Sequence, residues 1–378
     1  MKMTLQPPFH PQSGVALLTI LLLVVAIVVV AGSMLASQRV MLREYQLTQS
    51  QSQMQQSAQL AEASIIQMLL KDNEISQTDS PQDIWAKPLP SQTLNGANVQ
   101  MTLIDESSLF NINNLYHNGT VDKSAMAYFQ ALLTANGIEP SVAEAVLDWQ
   151  DPDSDMTGDG GAEADYYQSL GKPMPIAIAN QPFTAVHELL YVRGMDKEKL
   201  QKIQPLLTVM PFFLPMNVNT IKPELLSVIS LVNAKQDNTE NSQPANNASA
   251  PASTPTADNQ NQPSATAQGG LDLLALTDWA NSRNTAMPFE TVDSVWQIPA
   301  MSGVSDSQKQ VMTTLLDVQS RAFGLKTVVK IDEKQRVFRS QLAKIQPPQS
   351  DNPSQATQQI SQQTSQIVVF NRQVLPFS

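Results

Sequence analysis

From Val15 to Ala36 the chain reads VALLTILLLVVAIVVVAGSMLA, with Thr19 and Ser33 as its only polar side chains. At a rise of about 1.5 Å per residue, a helix of this length spans roughly 30 Å, one bilayer hydrocarbon core. In lipid each backbone amide must be satisfied within the segment, so helix is the form the run must take. Ala31-Gly32-Ser33 would suit a signal-cleavage site. The run is nevertheless longer than the roughly 7–15 apolar residues of a secretory signal, which favours a permanent anchor. Lys2 precedes the run and Arg39 and Arg43 follow it, so flanking charge does not set the orientation.

The chain has 378 residues, enough for two or three domains. With 23 Lys+Arg against 34 Asp+Glu, its net charge of −11 disfavours a surface that neutralises phosphates. It contains no cysteine, which excludes disulfides, thiolate metal sites and cysteine nucleophiles. Gln38 to Leu70 lacks Pro and Gly, and Leu60, Ala61, Ser64, Ile65, Met68 and Leu69 fall at helical spacing. This predicts an amphipathic continuation of the apolar helix. Val99–Asp105 alternates as a strand, Leu325–Ile331 and Val337–Arg339 flank the polar turn Asp332–Gln335 as a hairpin, and Ile367–Phe370 can add a strand. Sheet-forming segments thus lie at both ends of the body, with a large helical insertion between them. Asn233 to Gln268 and Pro347 to Gln366 are polar, low-complexity stretches expected to be disordered.

Three segments look like helix-hairpin-helix units: Glu188–Leu200 around Val192-Arg193-Gly194, Met216–Thr220 followed by Glu224, and Pro288–Pro299. Such turns can bind DNA phosphates, which makes a membrane-anchored DNA receptor the alternative function. Asp196 and Glu198 interleave with Arg193 and Lys197, so packing is the favoured role and no nucleic acid is expected. An acidic stretch, Asp148 to Tyr167, holds Asp148, Asp151, Asp153, Asp155, Asp159, Glu163 and Asp165 around three glycines. Hard cations such as Ca²⁺ take six to eight oxygen ligands, and clustered carboxylates supply them. The spacing is not that of an EF-hand: counting from Asp151, the sixth residue is Met156 and the twelfth Ala162. The residues alone leave a cation site and a solvated acidic loop both open. The only histidines are His10, His117 and His187, and no nucleophile-elbow, P-loop or zinc-protease motif occurs, so an enzyme is not expected.

Gly14, directly before the apolar run, resembles the glycine of a prepilin peptidase site, although Pro11-Gln12-Ser13 is less basic than such leaders usually are. Cleavage between Gly14 and Val15 would place Thr19 fifth in the mature chain, where most pilins and pseudopilins carry Glu. That departure resembles the minor pseudopilin called general secretion pathway protein K, of type II secretion systems. The same family is matched by an ordered series: Asp105 with Phe110-Asn111-Ile112-Asn113, Asp148-Trp149-Gln150-Asp151-Pro152-Asp153, Gly160-Gly161-Ala162-Glu163 with Tyr166-Tyr167, Asn180-Gln181-Pro182-Phe183, Arg193-Gly194-Met195 and Asn217-Val218-Asn219-Thr220. The resemblance implies an α+β fold. A pilin-like N-terminal helix and antiparallel sheet would carry a large α-helical (helix-hairpin-helix/SAM-like) domain inserted between strands. Its boundaries would be a leader at 1–14, a transmembrane helix at 15–36, pilin-like helix and first strands at 37–110, the insertion at 111–320 with its disordered loop at 233–270, and C-terminal strands at 321–378. It implies Ca²⁺ bound through Asp151, Asp153, Glu163 and Asp165, with Asp155 and Asp159 as further candidates. It also implies processing by prepilin peptidase with N-methylation, a single-pass inner-membrane location with a periplasmic body, and minor pseudopilins I and J as partners at the pseudopilus tip.

Overall fold

One helix, α1 (Ser13–Ile75), runs unbroken for 63 residues, about 95 Å. It belongs to a computed structural model that describes residues 13–170, 178–233, 270–345 and 366–375. Residues 1–12 of the expected leader, and the two low-complexity stretches over 234–269 and 346–365, lie outside the described residues. The N-terminal part of α1 has a window of mean hydropathy 3.2 of which nothing is buried. Among the described residues it is the one helix long and apolar enough to cross a membrane. The C-terminal part buries Met54, Ala58, Ala61, Ile65 and Leu69, one stripe of successive turns. Leu60, which sequence spacing puts in that stripe, is instead 51% exposed, and Ser64 is exposed too. The stripe starts earlier and is rotated by part of a turn, because Met54 and Ala58 are the residues that reach the sheet.

That sheet has five antiparallel strands in chain order: β1 (Gln92–Leu94), β2 (Ala97–Asp105), β3 (Ala322–Ile331), β4 (Lys334–Ile345) and β5 (Gln366–Leu375). Alternation places Val99 and Met101 of β2, Phe323, Leu325 and Val329 of β3, and Phe338 and Leu342 of β4 in the core that α1 covers. The expected hairpin is there, longer than its apolar residues suggested, and it turns through Asp332 at φ 52°. Asn95 (φ 49°) and Gly96 (φ 74°) make the two-residue β1–β2 turn, whose left-handed backbone suits this dipeptide. Gln53 Nε2 donates to Asn95 O at 2.7 Å and Ser57 Oγ to Leu94 O at 3.0 Å, which fixes α1 on the turn.

β2 and β3 are sheet neighbours, yet residues 106–321 lie between them in the chain. The inserted body is built from α2 (Lys123–Ala135), α3 (Val142–Asp148), α4 (Ala164–Ser169), α5 (Lys197–Ile203), α6 (Pro223–Ser227), α7 (Leu273–Ser282) and α8 (Asp306–Met312), with short 3-10 turns between them. Its construction repeats. Phe110-Asn111 pairs in parallel with Leu207-Thr208, and Met216-Asn217 pairs in parallel with Leu316-Asp317. Asn113 exchanges two bonds with the backbone of Phe183 (3.0 and 2.9 Å), and Asn219 does the same with Phe289 (3.0 and 2.8 Å). Asp196 and Ser305 then cap α5 and α8 through the amide three residues on. Two copies of one unit therefore stand in tandem, Phe110–Thr208 and Met216–Asp317. The elements before these caps are 3-10 turns, Val186–Tyr191 and Val292–Gln297, not the α-helices a helix-hairpin-helix unit would open with. Gly194 has φ +82°, and a Cβ there would sit 2.8 Å from Val142 Cγ2, so close packing on α3 accounts for it.

A buried polar seam joins the body to the sheet. Asp105 Oδ2 accepts from Ser320 Oγ at 2.6 Å and from the Thr220 hydroxyl. Asn217 Nδ2 donates to Ser320 Oγ at 2.8 Å and to Asp79 O at 2.9 Å. The Asp79 carboxylate accepts from Ser320 N at 2.8 Å and pairs with Lys344 Nζ at 3.2 Å. Burial pushes the Asp105 carboxyl up to about 7.

Candidate metal centre

The acidic loop is shaped by the helix that precedes it. Asp148, the last residue of α3, is fully buried, and its carboxylate accepts from Thr157 N at 3.1 Å and Ala162 N at 2.7 Å. One turn earlier on α3, Glu144 accepts from Gly160 N at 2.7 Å. The chain from Trp149 to Glu163 is thus drawn back onto α3. A Cβ on Gly160 would lie 2.4 Å from Ser141 O, and one on Gly161 would lie 2.4 Å from Asp148 Oδ2. Backbone can approach this closely only without side chains. Gly161→Ala should displace the loop, lowering stability by about 1–3 kcal/mol in thermal denaturation, as overpacking does. From the other side, Arg193 donates through its guanidinium to Gly161 O at 2.7 Å and lies 4.9 Å over the Tyr166 ring. Trp149 stacks on Phe183 and Tyr191 beneath the loop.

The result is a convergence of carboxylates. Asp151, Asp153 and Glu163 each bring an oxygen within 4.8 Å of the others. Asp151 and Glu163 are only 4% and 7% exposed. Asp151 Oδ1 and both Glu163 carboxylate oxygens are buried without a hydrogen-bond partner. Asn180 adds a further unpartnered oxygen, Oδ1, while its Nδ2 donates to Asp153 O at 3.0 Å. Burial first, and then repulsion from Asp153 and Asp148, push the Asp151 carboxyl up to about 6. Burial and repulsion from Asp148 and Asp151 push Glu163 up to about 7. Oxygen-rich, desolvated and mutually repelling, the group has the chemistry of a hard-cation site.

Of the six candidates named from sequence, the structure brings these three together and leaves three outside the group. Asp155 offers its backbone N–H to Asp153 Oδ1 at 2.9 Å, Asp159 presents its carbonyl towards Arg193, and Asp165 sits in the first turn of α4. Asp148 and Asn180 were not among the candidates. A second acidic trio, Asp72, Asp79 and Asp83, already has a cation, since Lys344 pairs with Asp79. At the would-be DNA turn, Arg193 is spent on the acidic loop and Lys199 Nζ donates to Gly194 O at 2.6 Å. Gly14 and Val15 lie in the first turn of α1, with Val15 67% exposed.

Residues 108–212, which contain the whole acidic loop and the first of the two repeated units, match the family model described as type II secretion system (T2SS), protein K. Type II secretion system protein K of Pseudomonas aeruginosa is 26% identical over 229 residues, covering 58% of this chain and 68% of the relative. The protein of the same name from Klebsiella pneumoniae is 28% identical over 233 residues, covering 58% and 70%. That of Aeromonas hydrophila is 27% identical over 242 residues, covering 59% and 71%. In fold, the chain resembles a chain of the GspK-GspI-GspJ complex from the enterotoxigenic Escherichia coli type 2 secretion system, with a TM-score of 0.63 at 20% identity over 87% of this chain and 99% of that one. An apolar helix continuing into an antiparallel sheet, a helical body set between two of its strands, and these matches together make the chain similar to type II secretion system protein K.

Proposed function

We propose that this chain assembles with minor pseudopilins I and J at the tip of a pseudopilus, initiating or capping it during protein secretion across the outer membrane. It acts by assembly, not catalysis. The observation that carries the reading is the division of α1: an apolar half with nothing buried against it, followed by a half packed into the chain's own sheet. The apolar half is the anchor, held in the inner membrane before assembly with the body on the periplasmic side. Prepilin peptidase would free Val15, which becomes N-methylated. The convergent Asp151, Asp153 and Glu163 hold Ca²⁺, supported by their orphaned buried oxygens. Two measurements test this together. Intact-mass analysis of the membrane-extracted chain should find Val15 as a methylated N-terminus. Affinity capture of the full chain should recover I and J. Retention of residues 1–14 in cells containing the peptidase, or capture without I and J, would overturn it.

A further inference from the structure

Beneath the loop that follows α1, Ser80 and Pro81 and the second repeated unit enclose a cavity of about 60 Å³, lined also by Asn219, Trp279, Arg283, Met287 and Phe289. That is the room of about two water molecules in the liquid, or of a carboxylate with its methylene. Among the described residues, Arg283 is the only charged one in the lining. Its guanidinium lies 4.6 Å over the Trp279 ring, and Trp279 in turn stacks on Phe289 at 5.9 Å. Its protein hydrogen bonds go to two backbone carbonyls, Ala280 O from Nε at 3.3 Å and Val218 O from Nη1 at 3.4 Å. A guanidinium has five N–H donors, so most of the fork is left over. No carboxylate among the described residues pairs with it, in a chain whose net charge is −11. Burial holds the group down at about 10. Gln82 Nε2 donates to Arg283 O at 3.3 Å and to Ala286 O, which ties the loop after α1 to the segment that lines the cavity. On the rim, Met287 is 87% exposed, an apolar group suited to a protein surface more than to a free ion.

We infer that the Arg283 cavity receives an aspartate or glutamate side chain of a partner subunit. A carboxylate entering it would meet the unused fork of the guanidinium in a desolvated site, where such pairs are strongest. Met287 would pack against the partner around it. The inference rests on assembly with the other minor pseudopilins, and its failure can be told from a failure of that reading.

The test uses the full-length chain co-expressed with minor pseudopilins I and J. Arg283→Met keeps an apolar group against Trp279 but removes the donors, and should weaken capture of the partners by at least about tenfold. Arg283→Lys, which keeps the charge and loses the fork, should recover only part of it. Met287→Glu lies on the exposed rim and cannot disturb the core; by offering the chain's own carboxylate to Arg283, it should weaken capture without lowering the melting temperature. A photo-crosslinker replacing Met287 should label a partner peptide that contains an acidic residue. Unchanged capture by both Arg283→Met and Met287→Glu overturns the inference while assembly stands. So does a crosslink that lands only within residues 234–269 of the same chain. Failure of the unmodified chain to capture I and J removes both.

Discussion

Saturating calcium will raise the melting temperature of this chain, and neutralising Asp151 and Glu163 will abolish the rise. A ligand held only by the folded state stabilises it by RT ln(1 + [L]/Kd), about 2.7 kcal/mol at roughly 100 times Kd. For a unit of roughly 150–250 residues that is about 5–10 °C. The chelated state makes the sharper prediction. Asp151 and Glu163 have folded values near 6 and 7 against ordinary values of 3.8 and 4.5, so the folded chain binds more protons than the unfolded one between them. Stability without calcium therefore falls as the pH rises from about 4 to about 7. Calcium should cancel this fall, because it binds the ionised carboxylates and gains affinity as they lose their protons. The variant Asp151→Asn with Glu163→Gln removes the repulsion while keeping the shape. In chelator it should melt at or above the unmodified chain, with a flatter pH profile over that range. A variant that melts lower in chelator and still responds to calcium would mean that these oxygens serve the loop and that the ion sits elsewhere.

Why the convergence of carboxylates was only half legible follows from what fixes it. Seven acidic residues between Asp148 and Asp165 stand out by type and density. Which of them converge is decided by backbone bonds to Glu144 and Asp148, and by the two glycines that let the chain lie against α3. Spacing carries no trace of those bonds, so Asp155, Asp159 and Asp165 look as eligible as Asp153. Asn180 is further hidden, because the chain returns to the loop only after α4. Strands were easier to read, since burial on a sheet follows strict alternation, as Val99, Met101 and the residues of β3 show. The Asn95-Gly96 turn was written as plainly but has only three residues of strand before it.

The duplication inside the inserted body was also present in the sequence, as Phe110-Asn-Ile-Asn against Met216-Asn-Val-Asn and as Pro182-Phe183 against Pro288-Phe289. The three segments that resemble helix-hairpin-helix turns fall within one unit used twice. Asn113 and Asn219 recur because each fills both backbone hydrogen bonds of a phenylalanine, a task a side-chain amide performs with one donor and one acceptor. Between these fixed points the two copies differ. The first carries the acidic loop between α3 and α4, and the second carries residues 234–269 between α6 and α7. So few shared positions, spread over about a hundred residues, give a periodicity too sparse to see until the contacts are known.

The seam that joins this body to the sheet holds a buried ion pair, and Lys344→Met will cost about 3–5 kcal/mol, the usual result of leaving one partner of such a pair alone. Lys344 is 7% exposed and Asp79 2%, and they meet at 3.2 Å. Burial already raises the Asp79 carboxyl above its ordinary 3.8, with Lys344 as the main opposing influence and Asp83 adding repulsion. Without the ammonium, Asp79 must either stay charged in a dry site or take up a proton, and its folded value climbs further. A carboxyl raised in the folded state favours folding below that value and loses the advantage as the pH rises through it. The variant should therefore be most stable in mild acid and lose stability towards neutral pH more steeply than the unmodified chain. Asp79→Asn added to Lys344→Met should restore most of the loss, because the amide still accepts from Ser320 N and nothing charged is left buried. Urea denaturation of the four chains at two pH values yields the coupling directly. A Lys344→Met chain as stable as the unmodified one at neutral pH would mean that the pair contributes no net attraction, and that the seam is held by the Asp105–Ser320–Asn217 bonds alone.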